Sequence, residues 1–389
     1  MSEASLSAKS SMDSLRGVSL AASEADFPDT LPPSMTGPMI WEGNELKNYV
    51  IDLVASDIDR IRAAVIHFKL LGLDRGSIST STFPLPSELA DKLSAISDIV
   101  HDGTGVAVLR GLDAARLNDE EAVIAFAGVC SFVCDLRATD SYANQTLSHV
   151  RDATHEKVPI WAKDIGLAGS KITAAMDFHS DRFSGDVLAL HVRNDGGPGD
   201  GGEQYFASFW KIYNTLLETE PEVLETLAAC DWPFELKQKD SAPYLELGPA
   251  LFFSKGRPMI QLVKAPLLGS PRIARDPSMP ALSDKQTHAL AVVEDLARRF
   301  SAKLDRKQGD IQFVNNHSIM HARSAYGADN KRSDRHLLRM FLRDRKNAWD
   351  KPARWCNNFD DPFTPGRHQE LPVIDTDPWR LISGRESHG

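Results

Sequence analysis

Three side chains in this sequence are of the types that hold a redox-active metal ion. His179 and Asp181 are separated by one residue, and His321 lies far downstream. Two imidazoles and one carboxylate form the facial triad of a non-haem Fe(II) centre, which leaves coordination positions open for substrates and oxygen. Because a single His-x-Asp pair is common by chance, the surrounding sequence must support the interpretation. The pattern predicts an oxygen-activating metal site.

Two histidines, His317 and His321, are candidates for the third ligand. On a helix they would share one face, as in zinc proteases with a His-Glu-x-x-His motif. Ser318 stands where that mechanism needs a glutamate as general base, and the two asparagines before His317 favour a turn. His321 is preferred because Arg323 and then further arginines follow it.

Arg335 lies fourteen residues after His321, and Arg339 lies four residues further on. On a strand these two arginines would point to the same side, as would Leu337 between them. A guanidinium binds a carboxylate in bidentate geometry and keeps its charge when partly buried. Two such groups on an inner face require anions; the alternative is a pair of surface arginines.

The elements that must position these residues are mostly strands. Glycine-bounded or alternating apolar runs predict strands at residues 104–111, 187–192 and 310–314. A glycine-rich segment at 194–202 follows the second run and indicates a turn. Strand candidates outnumber βαβ alternations, so we expect a mainly β fold, an antiparallel core with flanking helices.

Three helices with start or stop signals are predicted around this core. Apolar residues at helical spacing follow Ser56, a candidate N-cap, and Gly72 ends that pattern. Two more helices begin with the Ser/Thr-x-x-Glu/Gln motif, one at Thr219 and one at Ser283, the second running to about residue 304. These helices are expected to pack against the sheets.

Composition limits the possible partners and location. The 389 residues carry a net charge of −10, which argues against nucleic acid, and no apolar run is long enough for a membrane span. Residues 1–36 are expected to be a disordered leader, and residues 37–389 one domain. Four cysteines are too few for a disulfide framework, and Cys130 and Cys134 are expected in a helix as core residues. We predict a cytoplasmic protein and leave a homo-oligomer open.

The chain resembles the taurine dioxygenase and clavaminate synthase-like family of Fe(II)- and 2-oxoglutarate-dependent dioxygenases, especially its fungal members. The similar segments occur in family order between about residues 37 and 380. Together they are far more specific than any one alone. They are residues 103–111, 178–182, 188–193, 201–203, 309–316 and 321–323, followed by Arg335.

This resemblance implies a double-stranded β-helix, or jelly-roll, with helices packed outside. It also implies that His179, Asp181 and His321 are the iron ligands and that Arg335 binds the far carboxylate of 2-oxoglutarate. The cosubstrates would be 2-oxoglutarate and O2. Oxidative decarboxylation to succinate would accompany hydroxylation, desaturation or ring closure of a small metabolite, with a role in secondary metabolism.

One position departs from the family. A threonine or serine commonly follows Gly-Gly-Glu and hydrogen-bonds 2-oxoglutarate, whereas this chain has Gln204, whose amide could donate instead. Arg339 is similar to an arginine that binds an anionic group of the primary substrate in several relatives. We therefore predict an anionic substrate such as an amino acid, with Asn144 as a further pocket residue. The alternative is a catalytically silent jelly-roll that binds a small anion or serves in an assembly.

Overall fold

The structure is a computed structural model. It describes residues 30–140, 144–160, 167–238, 241–269, 274–327, 332–375 and 378–379.

The described chain contains eight α-helices and fifteen strands. The helices are α1 Ala55–Leu71, α2 Ser87–His101, α3 Asp119–Val133, α4 Phe209–Thr219, α5 Pro221–Ala228, α6 Ala265–Leu268, α7 Asp284–Phe300 and α8 Cys356–Asp360. The first eight strands are β1 Val50–Asp52, β2 Val106–Arg110, β3 Leu136–Arg137, β4 Ser148–Arg151, β5 Met176–His179, β6 Val187–Asn194, β7 Gln204–Ser208 and β8 Trp232–Gln238. The others are β9 Ser241–Gly248, β10 Leu251–Ser254, β11 Arg257–Ile260, β12 Ala302–Lys303, β13 Ile311–Asn315, β14 Ile319–Arg323 and β15 His336–Arg343.

Two sheets form the centre of the fold. The larger has the order β1-β2-β13-β6-β15-β3, with β4 also paired to β15, and the smaller has the order β12-β7-β14-β5. Within these sheets every pairing is antiparallel except β1 with β2. The predicted mainly β fold with flanking helices is confirmed, and the two sheets are those of a jelly-roll.

The strand period of two explains why the larger sheet is buried on both faces. In β2, Ala107 and Leu109 pack into an outer cluster with residues of α1, α2 and α3. Val106 and Val108 point the other way and pack with residues of both sheets, among them Phe206 and Ile319. The helices therefore cover one face of the larger sheet and leave its other face towards the smaller one.

A second group of helices covers the smaller sheet. Residues of α4, α5 and α7 share a buried cluster with Ala207 of β7 and Met320 of β14. His321, the residue after Met320, consequently points towards the space between the sheets. The backbone of the smaller sheet thus presents its alternate residues to the interior.

Two predicted helix starts are wrong. The first helix begins at Ala55 with Val54 as N-cap, not at Ser56, and the Asp57 carboxylate accepts the Val54 backbone N–H. Thr219 is the last residue of α4, and its hydroxyl bonds back to the Thr215 carbonyl. Thr219 therefore caps no helix: it lies inside α4, and the N-cap of α5 is the next residue, Glu220.

Other local predictions are confirmed. Gly72 ends α1 in the left-handed conformation, with φ of 63°. Ser283 and Gln286 form the predicted reciprocal cap of α7. That helix ends at Phe300 rather than near 304, because Ala302 and Lys303 pair with β7 instead. Cys130 and Cys134 are buried free thiols, as expected of core residues, but only Cys130 lies in a helix, because α3 ends at Val133 and Cys134 has an extended backbone.

The described chain begins inside the predicted leader. The Tyr213 hydroxyl donates to the Pro32 carbonyl at 2.6 Å, and the Asn214 side chain pairs with the Met35 backbone at 2.7 and 3.0 Å. The predicted leader therefore overlaps the fold by several residues, and residues 1–29 lie outside the described part. None of the described helices is both long enough and apolar enough to cross a bilayer.

Candidate active site

Two neighbouring strands bring the three predicted metal ligands together. His179 is the last residue of β5, and His321 of β14 is its direct antiparallel partner. Asp181 follows two residues later. Its Oδ2 lies 3.4 Å from His321 Nε2, and its Oδ1 lies 4.0 Å from His179 Nε2. One ligand atom from each of the three residues lies within 4.8 Å of the others, the spacing of a shared metal site.

The residues around Asp181 fix the direction of its side chain. Ser180 turns away, since its hydroxyl donates to the Ile260 carbonyl at 2.8 Å. The Asn316 side chain accepts the Asp181 N–H at 2.9 Å and donates to the Asp181 carbonyl at 2.7 Å. Asn316 thus holds both backbone groups of Asp181. The sequence showed it only as a turn residue.

The tautomer of His179 is suited to metal binding. Its Nδ1–H donates to the Asp177 carbonyl at 2.7 Å, which leaves the Nε2 lone pair directed at Asp181 and His321. Burial, reinforced by the charge of His321, lowers the pKa of His179 to about 3. The neutral imidazole is the form that binds a metal, so the donor set fits Fe(II).

His317 lies in a different environment from His321. Its Nε2 lies 3.2 Å from Asp186 Oδ1 and 3.2 Å from Lys351 Nζ, and its Nδ1 lies 3.2 Å from the Gln261 amide. It sits in the turn between β13 and β14, not on a helix. The structure therefore brings His321 rather than His317 to Asp181, and the zinc-protease alternative has no helix to support it.

Arg335 is buried beside the metal-ligand cluster. Its side chain is 2% exposed and stacks on Tyr326, with 5.1 Å from guanidinium carbon to ring centroid. Nε and Nη1 have no hydrogen-bond partner among the described residues. Burial, and then the charges of Arg306 and Arg323, lower the pKa of Arg335 to about 9. A guanidinium in this state favours an incoming anion.

Gly202 makes room for this arginine. Its φ is +70°, a conformation that favours glycine, and a Cβ there would lie 2.7 Å from Arg335 Nε. Any other residue at 202 would displace the guanidinium. At this position of the glycine-rich turn, a glycine is therefore needed to accommodate the Arg335 side chain.

Arg339 and Gln204 line the same cavity as the three metal-ligand candidates and Arg335. Arg339 is 6% exposed, and its Nε donates to the Ser148 hydroxyl at 3.1 Å. Burial lowers the pKa of Arg339, and the charge of Asp181 opposes this. Gln204 forms a reciprocal amide pair with Gln312, with N···O distances of 3.0 and 2.9 Å.

Asn144 does not belong to the described cavity lining. It has a left-handed backbone, with φ of 55°, and its carbonyl accepts the Glu370 N–H at 2.9 Å. Residues 142 and 143 beside it lie outside the described part of the chain. Its predicted contact with substrate stays a prediction. Conversely, Arg323 lines the cavity, and its spacing of two residues from His321 on a strand was the signal for this.

The sequence matches one family over most of its length. Residues 69–341 match the family described as Taurine catabolism dioxygenase TauD, TfdA family. The taurine hydroxylase-like protein SAT17 of Stachybotrys chartarum is 30% identical over 360 residues, which are 91% of each chain. The FR-33289 synthase of Streptomyces rubellomurinus is 25% identical over 333 residues, 81% of this chain and 91% of that protein.

Solved structures show the same fold at low sequence identity. An asparagine oxygenase in complex with Fe(II), 3-hydroxyasparagine and succinate has a TM-score of 0.55 at 14% identity, covering 76% of this chain and 93% of that one. The non-haem iron oxygenase OrfP with iron and 2-oxoglutarate has a TM-score of 0.54 at 15% identity, with the same coverage. The chain belongs to the TauD/TfdA family and is a non-haem Fe(II)-dependent oxygenase that uses 2-oxoglutarate and O2.

Proposed function

We propose that His179, Asp181 and His321 bind the Fe(II) and that Arg335 binds the far carboxylate of 2-oxoglutarate. Arg339 would then bind the anionic group of a small carboxylate-bearing metabolite, such as an amino acid. The observation that carries this proposal is that all five side chains line one cavity. Gln204 is proposed as an auxiliary donor to 2-oxoglutarate, since an amide in a reciprocal pair keeps one N–H.

The spacing between Arg335, which directly precedes β15, and Arg339 within that strand separates the two arginine sites. Four residues of strand span about 13 Å, so Arg335 and Arg339 serve different groups along the cavity. Burial lowers the pKa of Arg339, and the negative charge of Asp181 opposes that shift. Arg339 is therefore assigned to the primary substrate beside the metal, and Arg335 to the distal end of the cosubstrate.

The bound iron and 2-oxoglutarate supply the oxidising chemistry: oxygen is consumed, and 2-oxoglutarate becomes succinate and carbon dioxide. The protein positions the reactants and excludes water. Leu188, Leu190 and Leu337 give the cavity apolar walls, and the arginines give fixed positive charge. In such a site an ion pair between substrate and guanidinium is stronger than in water. The oxidation is proposed to be hydroxylation, desaturation or ring closure.

The relatives support an amino acid or a related secondary metabolite as substrate. One structural neighbour holds 3-hydroxyasparagine, and OrfP has been solved with 3-hydroxyarginine and with canavanine. The curated relatives are a taurine hydroxylase-like protein and FR-33289 synthase. We propose one cytosolic catalytic domain over residues 37–389, onto which Pro32 and Met35 also pack. Contacts that join Arg75 to Leu371 and Arg151 to Asp375 support this.

A substrate screen tests this assignment. Purified protein with Fe(II), 2-oxoglutarate and oxygen is incubated with individual amino acids and with their amides or esters, and succinate is measured. We expect carboxylates to stimulate succinate formation and their neutral derivatives not to do so. Arg339→Gln should raise the KM of a stimulating acid at least about tenfold, because a charge-assisted hydrogen bond is lost, while the affinity for 2-oxoglutarate changes little. Equal stimulation by acids and neutral derivatives would contradict the proposal.

The alternative, a catalytically silent jelly-roll, has no observation in its favour. The metal-ligand set is intact, the ligand atoms are within reach of one ion, and the family match covers the site. A silent anion-binding protein would form no succinate under any of the conditions of the screen.

A further inference from the structure

A second guanidinium besides Arg335 faces the cavity with unused donors. Arg323 is 6% exposed, and its Nη2 donates to the carbonyls of Ile172 and Ala174 at 2.9 and 2.5 Å. Its Nε and Nη1 are buried without a hydrogen-bond partner among the described residues. Nη2 therefore holds the Arg323 side chain in place, whereas Nε and Nη1 are available to a ligand.

Arg323 lies at the same end of the cavity as Arg335. The two guanidinium carbons lie 4.7 and 5.1 Å from the centroid of the same ring, that of Tyr326, so they are less than about 10 Å apart. Two buried like charges at this separation are unfavourable unless an anion joins them.

The register of the smaller sheet fixes the distance from the metal ligands. Arg323 is two residues beyond His321 on β14, about 7 Å along the strand, and it projects to the same face. This distance is similar to the length of a five-carbon diacid that is held at one end by the metal. On the neighbouring strand β7, the residue paired with Arg323 is Gln204.

Gln204 has little donor capacity left for a ligand. Its amide is held in the reciprocal pair with Gln312. At most one N–H of Gln204 remains for a ligand. The unused Nε–H and Nη1–H of Arg323 lie opposite it and can supply the missing donors.

We propose that Arg323 is a second arm of the clamp on the far carboxylate of 2-oxoglutarate, acting with Arg335. Its Nη2 holds the segment before β5, and its Nε and Nη1 contact the carboxylate. This inference rests on the proposed role of Arg335. It assigns to Arg323 the selection of a dicarboxylic over a monocarboxylic 2-oxo acid.

The test compares two ligands that differ only at the far end. Under anaerobic conditions the Fe(II) protein is titrated with 2-oxoglutarate or with 2-oxopentanoate, in which a methyl group replaces the far carboxylate, and the visible charge-transfer band gives each Kd. We expect Arg323→Gln to raise the Kd for 2-oxoglutarate at least about tenfold, the effect of losing hydrogen bonds to a charged group. The Kd for 2-oxopentanoate should change less than twofold.

Arg306→Gln is the matched control. Arg306 donates to the carbonyls of Gly202 and Asp195, carries the same charge nearby, and is not part of the cavity lining. It should keep the preference for 2-oxoglutarate. An equal loss in both variants would show a general field effect and overturn direct contact. A parallel rise in both Kd values for Arg323→Gln would show a purely structural role and also overturn it.

Arg323→Lys provides a second variant if Arg323→Gln does not fold. Lysine keeps the charge but not the fork, so we expect a partial loss confined to 2-oxoglutarate; full retention of the preference would contradict the proposal. If the unmodified protein gives no band with 2-oxoglutarate, the proposed metal and cosubstrate sites fail instead. The two failures are therefore distinguishable.

Discussion

Two clusters of buried charge among the described residues differ in whether their charges are compensated. Around Asp186, the carboxylate contacts Arg343 at 2.9 Å, Lys351 at 3.0 Å and His317 at 3.2 Å. Around the cavity, Arg323 and Arg335 are equally buried but keep unused donors. The first cluster is complete by itself and stabilises the fold, whereas the second requires ligands.

The largest expected effect concerns the two buried aspartates. Asp186→Asn should destabilise the protein by about 3–5 kcal/mol, because it leaves the buried Lys351 without a paired carboxylate and Arg343 with only the exposed Asp360. Asp181→Asn should cost much less in the metal-free protein, since that carboxylate faces His179 and His321 across a cavity. Urea unfolding of both variants measures this difference. Equal losses would mean that the clusters do not differ in kind.

The next prediction compares Arg335, which directly precedes β15, with Arg343, the last residue of that strand. Arg335→Gln should weaken 2-oxoglutarate binding about 100-fold, roughly 3 kcal/mol, without loss of stability in the ligand-free protein. Arg343→Gln should do the reverse, because its partners are Asp186 and Asp360. Calorimetric titration and thermal unfolding of both proteins measure these effects. Unchanged affinity in Arg335→Gln would remove it from the cosubstrate site.

The secondary structure was largely predictable from the sequence. Runs such as residues 310–314 alternate or are bounded by glycines, so the core strands were found. The predicted helix starts at Ser56 and Thr219 were wrong. An N-cap motif shows which hydrogen bonds a side chain can form, but it does not show where the preceding helix ends. The predicted helix α7 was too long because residues 302–303 pair with β7. That strand lies far earlier in the sequence, so the pairing could not be predicted.

The clustering of the three candidate ligands was predictable from the sequence, whereas the residues that contact them were not. His179, Asp181 and His321 were visible from residue types and spacing. Neither the Asn316 bonds to Asp181 nor the unused donors of Arg323 could be read from the sequence, since both depend on which strands become neighbours. The role of Asn144 was predicted only from its position before the motif. Because Asn144 is not part of the described cavity lining, that role stays a prediction.

The pH dependence of stability should reflect two histidines: His317 of the compensated cluster, and His336, which stacks on His149 outside that cluster. Burial lowers the pKa of His317 to about 4, and that of His336 also to about 4. The unfolded chain, with histidine pKa near 6.5, binds these protons first as the pH falls. Each residue should therefore reduce stability by up to about 1.4 kcal/mol per pH unit between pH 6.5 and 4, with no effect above that range.

Denaturant midpoints of the metal-free protein at each pH measure this slope. His317→Gln should lower the slope by the contribution of one proton, because glutamine does not titrate. A slope that His317→Gln leaves unchanged would mean that His317 is protonated in the folded protein.

The smallest effect is expected outside the cavity. Asn144→Gly, which suits the left-handed backbone, should change the substrate KM less than twofold, whereas Arg339→Gln raises it at least about tenfold. Succinate formation at varied substrate concentration gives both values. A large rise in KM for Asn144→Gly would bring Asn144 into the substrate site and so support the original prediction.

The most direct test of the comparison uses the two histidines four residues apart. Anaerobic addition of Fe(II) and 2-oxoglutarate to the unmodified protein should produce a weak visible charge-transfer band. His321→Ala should abolish the band, because a metal ligand is lost, while His317→Ala should retain it in protein shown by circular dichroism to be folded. A band that survives in His321→Ala and disappears in folded His317→Ala would contradict the assignment of the metal site.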